Sequence, residues 1–171
     1  MTAASWITLS RLLVLPVVLV LIPGDARANG WAAGLFGVAC ATDALDGWVA
    51  RRWGQVTELG KWLDPLVDKG LVLGILIALV EQQRIPAWGV VLILIRELGI
   101  TAWRAGRPQV PGADWGGKLK TLTQMVAVIL LLAPLPRPWL RLGQWCFWLA
   151  VVLTWISAWG YLRGPAKSVQ G

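Results

Sequence analysis

Four aspartates between positions 43 and 68 carry the clearest chemical signal in this chain. They are Asp43, Asp46, Asp64 and Asp68, and the whole chain has only nine acidic residues. The segments on either side of them are strongly apolar. Carboxylates crowded into apolar surroundings repel one another and tend to protonate unless a cation lies between them. A divalent metal ion bound through oxygen ligands is therefore the first chemistry that these residues indicate.

The spacing of the aspartates divides them into two pairs. Asp43 and Asp46 are three residues apart, and Asp64 and Asp68 are four residues apart, so each pair shares one face of a helix. If the two helix ends meet, four carboxylates converge on one point. Such a group suits two hard divalent ions that keep open positions for phosphate oxygens.

Small and basic residues are interleaved with the aspartates. Gly47 directly follows Asp46, and Gly60 lies four residues before Asp64. A missing side chain lets a ligand or a second backbone come close. Arg51 lies near the face of the first aspartate pair, where it can offset the carboxylates or bind a phosphate through its guanidinium fork.

The composition indicates that these residues are held by membrane-spanning helices. Hydrophobic residues make up 57% of the chain and charged residues 15%, whereas a soluble domain has about 25% charged residues. The net charge of +7 favours anionic lipid headgroups or a phosphorylated substrate as partners, and no soluble region remains to bind nucleic acid. The absence of histidine excludes Ser/His and Cys/His catalysis and any imidazole metal site.

Apolar runs predict an all-α, polytopic membrane protein of six transmembrane helices that forms a single domain over residues 1–171. The predicted spans are 6–22, 30–53, 63–80, 86–103, 118–133 and 139–162. The link at 52–63 is expected to reverse the chain, and Asp64-Pro65 is expected to begin the third helix, since proline is tolerated in a first turn. Ala26-Arg27-Ala28 resembles a signal-peptidase site, but the length of the first run favours a helix that is kept.

Positive charge predicts the orientation in the membrane, because Lys and Arg are enriched in cytoplasmic loops. The 2–3 and 4–5 connections and the C-terminal tail together hold ten Lys and Arg residues, and the opposite side holds four. Both termini and the aspartates are therefore expected on the cytoplasmic side of a bacterial inner membrane or its equivalent.

A long motif resembles the CDP-alcohol phosphatidyltransferase family. The order Asp-x2-Asp-Gly-x2-Ala-Arg-x8-Gly-x3-Asp-x3-Asp is met in full by Asp43, Asp46, Gly47, Ala50, Arg51, Gly60, Asp64 and Asp68. The resemblance extends to the glycerol phosphate-using members through Arg96-Glu97 and Arg104, and through Gly117-Lys118-Leu119-Lys120-Thr121. These stretches cover most of the chain, and the six-helix membrane domain of the family agrees with the span count.

The resemblance implies transfer of a phosphatidyl group from CDP-diacylglycerol to sn-glycerol 3-phosphate, with phosphatidylglycerophosphate and CMP as products. It implies two magnesium or manganese ions on Asp43, Asp46 and Asp64, with Asp68 sharing the second ion and accepting the proton of the acceptor hydroxyl. It further implies a CDP site and, as the family commonly forms one, a homodimer. The residues expected at the CDP site are Gly47, Arg51, Thr57 and Gly60.

The phosphate of the acceptor needs basic residues of its own. Lys118, Lys120, Arg104 and the deeper Arg96 are the candidates, with Lys118 the strongest because it is expected to open the fifth helix. Each of the first three could instead anchor lipid headgroups. Arg96 could instead form a buried structural ion pair with another helix, with Glu97 expected on a different face.

Other functions remain open at this point. The same family could use inositol phosphate, serine or phosphatidylglycerol as acceptor. From another class, a divalent-cation transporter could use the same aspartates, although helices two and three offer no polar residues that continue towards the far side. A purely structural pair of aspartates is disfavoured by the presence of two pairs with interleaved Gly, Ala and Arg.

Overall fold

The computed structural model describes the backbone of residues 13–53, 58–105 and 115–163. It describes the side chains of the same residues except 43–53, 58–66, 68, 103–105, 115–116 and 160–163.

Within these ranges the chain is all-α, as predicted, and no strand is present. There are six helical segments: α1 (13–21), α2 (Ala26–Trp53), α3 (Glu58–Glu81), α4 (Ala87–Ala105), α5 (Trp115–Leu132) and α6 (Arg137–Arg163). Each coincides with one predicted apolar run. The polar residues after Glu81 and the prolines after Ala133 end α3 and α5.

The predicted links before α3 and before α5 were too long. α3 begins at Glu58, so Asp64 and Pro65 lie inside the helix and do not begin it. α4 continues to Ala105 and α5 begins at Trp115, so Arg104 is helical and Lys118 is the fourth residue of its helix. Hydropathy marks where the chain becomes apolar, whereas backbone hydrogen bonding continues through the polar first and last turns of a helix.

A shared apolar core joins the helices. α5 packs most extensively against α6, and further contacts join α2 to α5, α3 to α4 and α5, and α4 to α6. Fully buried side chains from every described helix meet there, among them Val18, Phe36, Ile75, Ile93, Leu131 and Phe147. Val18 and Ile22 place the first segment in the same core.

α4 and α6 approach each other closely at Gly89. Gly89 faces Phe147, and a Cβ atom built on Gly89 would lie 2.7 Å from two atoms of that ring. Beside it, the Trp88 and Trp148 rings lie with their centroids 4.4 Å apart. A glycine at position 89 thus sets the spacing of the two helices, as small residues commonly do between helices in lipid.

Arg84 links α2 and α5 at the end of the bundle where the α1–α2, α3–α4 and α5–α6 turns lie. α3 ends with Gln83 at a φ of 55° and with hydrogen bonds from the Gln83 and Arg84 N–H groups to Val80 and Leu79, which is a Schellman motif. The Arg84 guanidinium donates to the Leu131 carbonyl at the end of α5, and to Asn29 Oδ1 on α2 at 3.3 Å. Partial burial lowers the pKa of Arg84.

The outward faces of the helices are apolar. Every described helix exposes large hydrophobic side chains, such as Val20, Trp31, Ile77, Leu98, Leu122 and Trp155. By length and composition, one helix in the described part of the chain, over Arg137–Trp159, is apolar enough to cross a membrane. α4 and α5 carry charged residues within their length. The six-helix fold is therefore confirmed, while six spans and the sidedness of the termini stay predictions.

Candidate functional site

Both aspartate pairs lie in continuous helices. Asp43 and Asp46 belong to α2, and Asp64 and Asp68 belong to α3. The helical backbone supports the shared face inferred for each pair from its spacing. The four side chains are outside the described set, so their convergence stays a prediction. The same holds for Gly47, Arg51 and Gly60, which lie in these helices, and for Thr57, which falls between described ranges.

A buried cluster of charges lies beside this part of α3. We call it the Glu97 cluster, and it consists of Glu97 and Arg96 on α4, Lys69 on α3 and Lys120 on α5. Glu97 Oε1 accepts from Lys120 Nζ and lies 3.0 Å from Arg96 Nη1, and Glu97 Oε2 lies 3.6 Å from Lys69 Nζ. The Glu97, Arg96 and Lys120 side chains are each less than a tenth exposed. One carboxylate is therefore shared by three cations in a largely buried environment.

Arg96 connects the cluster to α6. Its Nε donates to the Thr154 carbonyl at 3.0 Å, and its Nη2 donates to Ser157 Oγ. On the same side, Gln124 Nε2 donates to Thr154 Oγ1 at 3.4 Å. Three of the five guanidinium N–H groups thus bind protein atoms, which fixes the plane of the guanidinium group.

Arg96 and Glu97 were expected on different faces of the helix, yet their side chains contact each other. Adjacent residues leave a helix about 100° apart, but both side chains are long enough to curl back and meet. The alternative role considered for Arg96, a buried structural ion pair, is realised within its own helix. The cross-helix pairs are formed by Glu97, with Lys120 on α5 and with Lys69 on α3.

Lys69 joins the cluster to the aspartate region. It directly follows Asp68 on α3, and its Nζ donates to Thr101 Oγ1 at 2.6 Å. The Thr101 hydroxyl in turn donates to the Glu97 carbonyl at 2.7 Å. Lys69 is about a third exposed, so the cluster opens towards the surface at this residue.

Lys118 and Arg104 are the remaining acceptor-site candidates. Lys118 is exposed in the first turn of α5, two residues before the buried Lys120. The Arg104 side chain lies outside the described set. The structure therefore brings Arg96 and Lys120 together around Glu97, and whether these residues bind an acceptor phosphate stays a prediction.

An opening of about 520 Å³ lies at the opposite, Arg84 end of the bundle. It is lined by Arg84, Arg141, Gln144 and aromatic residues of α6. Among the described side chains, no predicted site residue lines it, and it is separate from the Glu97 cluster.

Comparison with known proteins identifies the family. The profile for the CDP-alcohol phosphatidyltransferases matches residues 1–156, which include all four aspartates and the Glu97 cluster. The chain belongs to the CDP-alcohol phosphatidyltransferase family. Enzymes of this family are membrane proteins and in general depend on divalent metal ions. Membership favours the phosphatidyltransferase over the cation-transporter hypothesis.

Several relatives within this phosphatidyltransferase family are similar along most of their length. A probable phosphatidylglycerophosphate synthase of Mycobacterium tuberculosis is 39% identical over 98% of this chain and 83% of the relative. The CDP-diacylglycerol–glycerol-3-phosphate 3-phosphatidyltransferase of Bacillus subtilis is 39% identical over 91% of this chain and 90% of its own length. The enzyme of the same name from Escherichia coli K12 is 36% identical over the same shares.

Sequence reasoning did not assign Lys69, Glu97 or Thr101 to the site. A signal for Glu97 was present, because a carboxylate inside an apolar run needs a cationic partner, and Lys69 and Lys120 were available on neighbouring helices. Which of them it binds depends on the lateral order of the helices, and a single sequence does not contain that order.

Proposed function

We propose that this protein transfers the phosphatidyl group of CDP-diacylglycerol to sn-glycerol 3-phosphate and releases CMP. The observation that carries the proposal is the similarity, over nine-tenths of the chain or more, to relatives named for this reaction. The Glu97 cluster supports an acceptor that bears a phosphate. Among the described side chains, three cations around one carboxylate leave an excess of two positive charges.

The four aspartates suit the divalent ions on which the family depends. They lie as two same-face pairs on α2 and α3, and an all-carboxylate set of oxygen donors is what magnesium and manganese prefer. We propose that Asp43, Asp46 and Asp64 hold two such ions and that Asp68 shares the second. When bound, the ions neutralise the charge of the pyrophosphate.

The chain's own residues would then perform the remaining steps. Asp68 accepts the proton of the acceptor hydroxyl, whose oxygen forms a bond to the phosphorus of the phosphatidyl group as the pyrophosphate bond to CMP breaks. With no histidine in the chain, a carboxylate is the natural base. Gly47, Arg51, Thr57 and Gly60 are proposed to contact the CDP group.

The acceptor phosphate is proposed to bind among Arg96, Arg104, Lys118 and Lys120. Lys120 is at hydrogen-bonding distance of Glu97 and beside Arg96, so at least two of these cations already share one locus. A preformed group of cations lowers the cost of orienting a phosphate.

The placement in the membrane is part of the proposal. The apolar outward faces of all described helices support six spans in a bacterial inner membrane, and the distribution of Lys and Arg supports cytoplasmic termini and a cytoplasmic active site. Acyl chains would then stay in lipid while CMP leaves to water. A homodimer is also proposed, supported by exposed small residues such as Gly34 on α2.

The test is an acceptor series with purified protein in mixed micelles. CMP release is measured with CDP-diacylglycerol and, in turn, glycerol 3-phosphate, glycerol, serine and inositol phosphate. We expect release with glycerol 3-phosphate and little with glycerol, the matched acceptor that lacks the phosphate. Release with only serine or inositol phosphate would refute the acceptor, and removal of divalent ions by a chelator should stop the reaction.

A further inference from the structure

Glu97 lies at the centre of a group whose other charged members are all cations. Its two carboxylate oxygens contact different cations. Oε1 binds Arg96 and Lys120, and Oε2 faces Lys69. The three cations come from three different helices, α3, α4 and α5. Without a carboxylate between them they would repel one another, and the buried Arg96 and Lys120 would lose their shared counter-charge.

Within the cluster, the Arg96 side chain is fixed in place, whereas the ammonium groups of Lys69 and Lys120 can reorient. Arg96 is held by Glu97, by the Thr154 carbonyl at 3.0 Å and by Ser157, so it cannot turn without breaking contacts to α6. Each lysine is held only through its Nζ atom. Lys120 Nζ donates to Glu97, and Lys69 Nζ donates to the Thr101 hydroxyl. A lysine ammonium has three donors, and the two lysines therefore retain donors that can turn towards an anion.

The cluster is also in a suitable place for an acceptor. Lys69 follows Asp68 directly, so the two side chains leave α3 from neighbouring positions. Lys69 is about a third exposed, which gives a polar ligand a way in from the surface. A phosphate monoester carries close to two negative charges at neutral pH, and the cluster has an excess of two positive charges.

From this arrangement we infer that Glu97 is a positioning residue of the acceptor subsite. It holds Lys69 and Lys120, with Thr101 fixing Lys69, so that both ammonium groups receive the phosphate of the acceptor beside Asp68. This assigns Lys69, Glu97 and Thr101 to acceptor recognition, and it rests on the proposed function. Glu97 itself does not touch the acceptor in this scheme, because a carboxylate would repel the phosphate.

The experiment separates acceptor binding from stability. Kinetics are measured for wild type, Glu97→Gln and Thr101→Val with each substrate varied in turn, and melting temperatures are measured in the same detergent. Glu97→Gln keeps the shape of the side chain and removes its charge. We expect its KM for glycerol 3-phosphate to rise by about tenfold, or about 1.4 kcal/mol, with the KM for CDP-diacylglycerol unchanged.

Thr101→Val is the milder variant and keeps the inference testable if Glu97→Gln does not fold. Thr101 is exposed, so its isosteric replacement should leave the melting temperature unchanged. We expect it to raise the KM for glycerol 3-phosphate by about threefold, because Lys69 loses a hydrogen-bond partner at 2.6 Å.

Asn29→Ala is the matched control. Asn29 is as buried as Glu97 and also accepts a hydrogen bond from an arginine, but it lies at the Arg84 end. It should lower the melting temperature and leave both KM values unchanged. If Glu97→Gln behaves like Asn29→Ala, raises both KM values equally or lowers the KM for glycerol 3-phosphate, the positioning role is overturned. Absence of turnover by wild type with glycerol 3-phosphate would instead refute the proposed function.

Discussion

At the level of single residues, Asp68 is distinguished from the other three aspartates by its neighbour. It directly precedes Lys69, whose side chain belongs to the Glu97 cluster, so it is the aspartate nearest in sequence to the proposed acceptor subsite. A carboxylate that must accept a proton from the acceptor hydroxyl has to lie near the acceptor, whereas a residue that only binds metal does not.

Replacing Asp68 by Asn therefore tests the proton-acceptor role. Asn keeps one oxygen that can bind a metal ion but has little basicity. We expect kcat to fall by about 100- to 10,000-fold, with Mn²⁺ binding, measured by electron paramagnetic resonance, partly kept. Asp25→Asn is the control, since Asp25 caps α2 at the other end through Ala28 N–H at 2.9 Å and Asn caps equally well. Substantial turnover by Asp68→Asn would refute the base role.

The residue-level site was only partly predictable from the sequence. The aspartates could be found because their chemistry and their spacing both lie within one short window. The partners of Glu97 could not, because Lys69 and Lys120 are far from it in sequence and meet it only through the packing of α3, α4 and α5. Arg84 was not assigned to any site from the sequence. Its contacts to Leu131 and Asn29 depend on the left-handed turn at Gln83.

At the level of helices, the presence of each helix was easier to predict than the residues at which it begins and ends. Each apolar run became one helix because a hydrophobic stretch that must satisfy its backbone internally has no other common solution in lipid. The start of α3 was misplaced because Pro65 was taken as a first-turn signal. Pro65 is the eighth residue of α3, where proline lacks the N–H for one backbone bond and its ring crowds the carbonyl four residues earlier, yet the helix continues through it.

The spacing of α4 and α6 gives a prediction at this level. Gly89→Ala would place a methyl group 2.7 Å from the Phe147 ring, which must move and disturb the Trp88–Trp148 contact. We expect a loss of about 1–3 kcal/mol in unfolding free energy. Gly99→Ala in the same helix has no atom within 4 Å of the new Cβ and should gain about 0.5–1 kcal/mol. Unfolding in mixed micelles measures both, and equal effects of the two variants would contradict this account of the α4–α6 contact.

At the level of the whole molecule, the distribution of Lys and Arg and the positions of the side-chain contacts indicate the same orientation in the membrane. The Glu97 cluster joins α3, α4 and α5 near one end of the bundle, and Arg84 joins α2, α3 and α5 at the other. The end with the Glu97 cluster lies next to the connections that are rich in Lys and Arg. The aspartates, the acceptor subsite and the positive-inside signal should therefore all face the cytoplasm.

Labelling of single cysteines with a membrane-impermeant maleimide tests this orientation in intact cells. The background variant is Cys40→Ala/Cys146→Ala, which by itself should not react. Leu135→Cys places a thiol in the exposed α5–α6 turn, and Lys118→Cys places one in the exposed first turn of the same helix, α5. α5 is 18 residues long, which is within the range of about 17–25 residues that can span a bilayer, so its two ends can lie on opposite sides of the membrane. We expect Leu135→Cys to react in intact cells and Lys118→Cys only after permeabilisation.

The reverse pattern would place the active site on the outer face, where a cytoplasmic supply of glycerol 3-phosphate could not reach it. Labelling of both variants in intact cells would show that α5 does not cross the membrane.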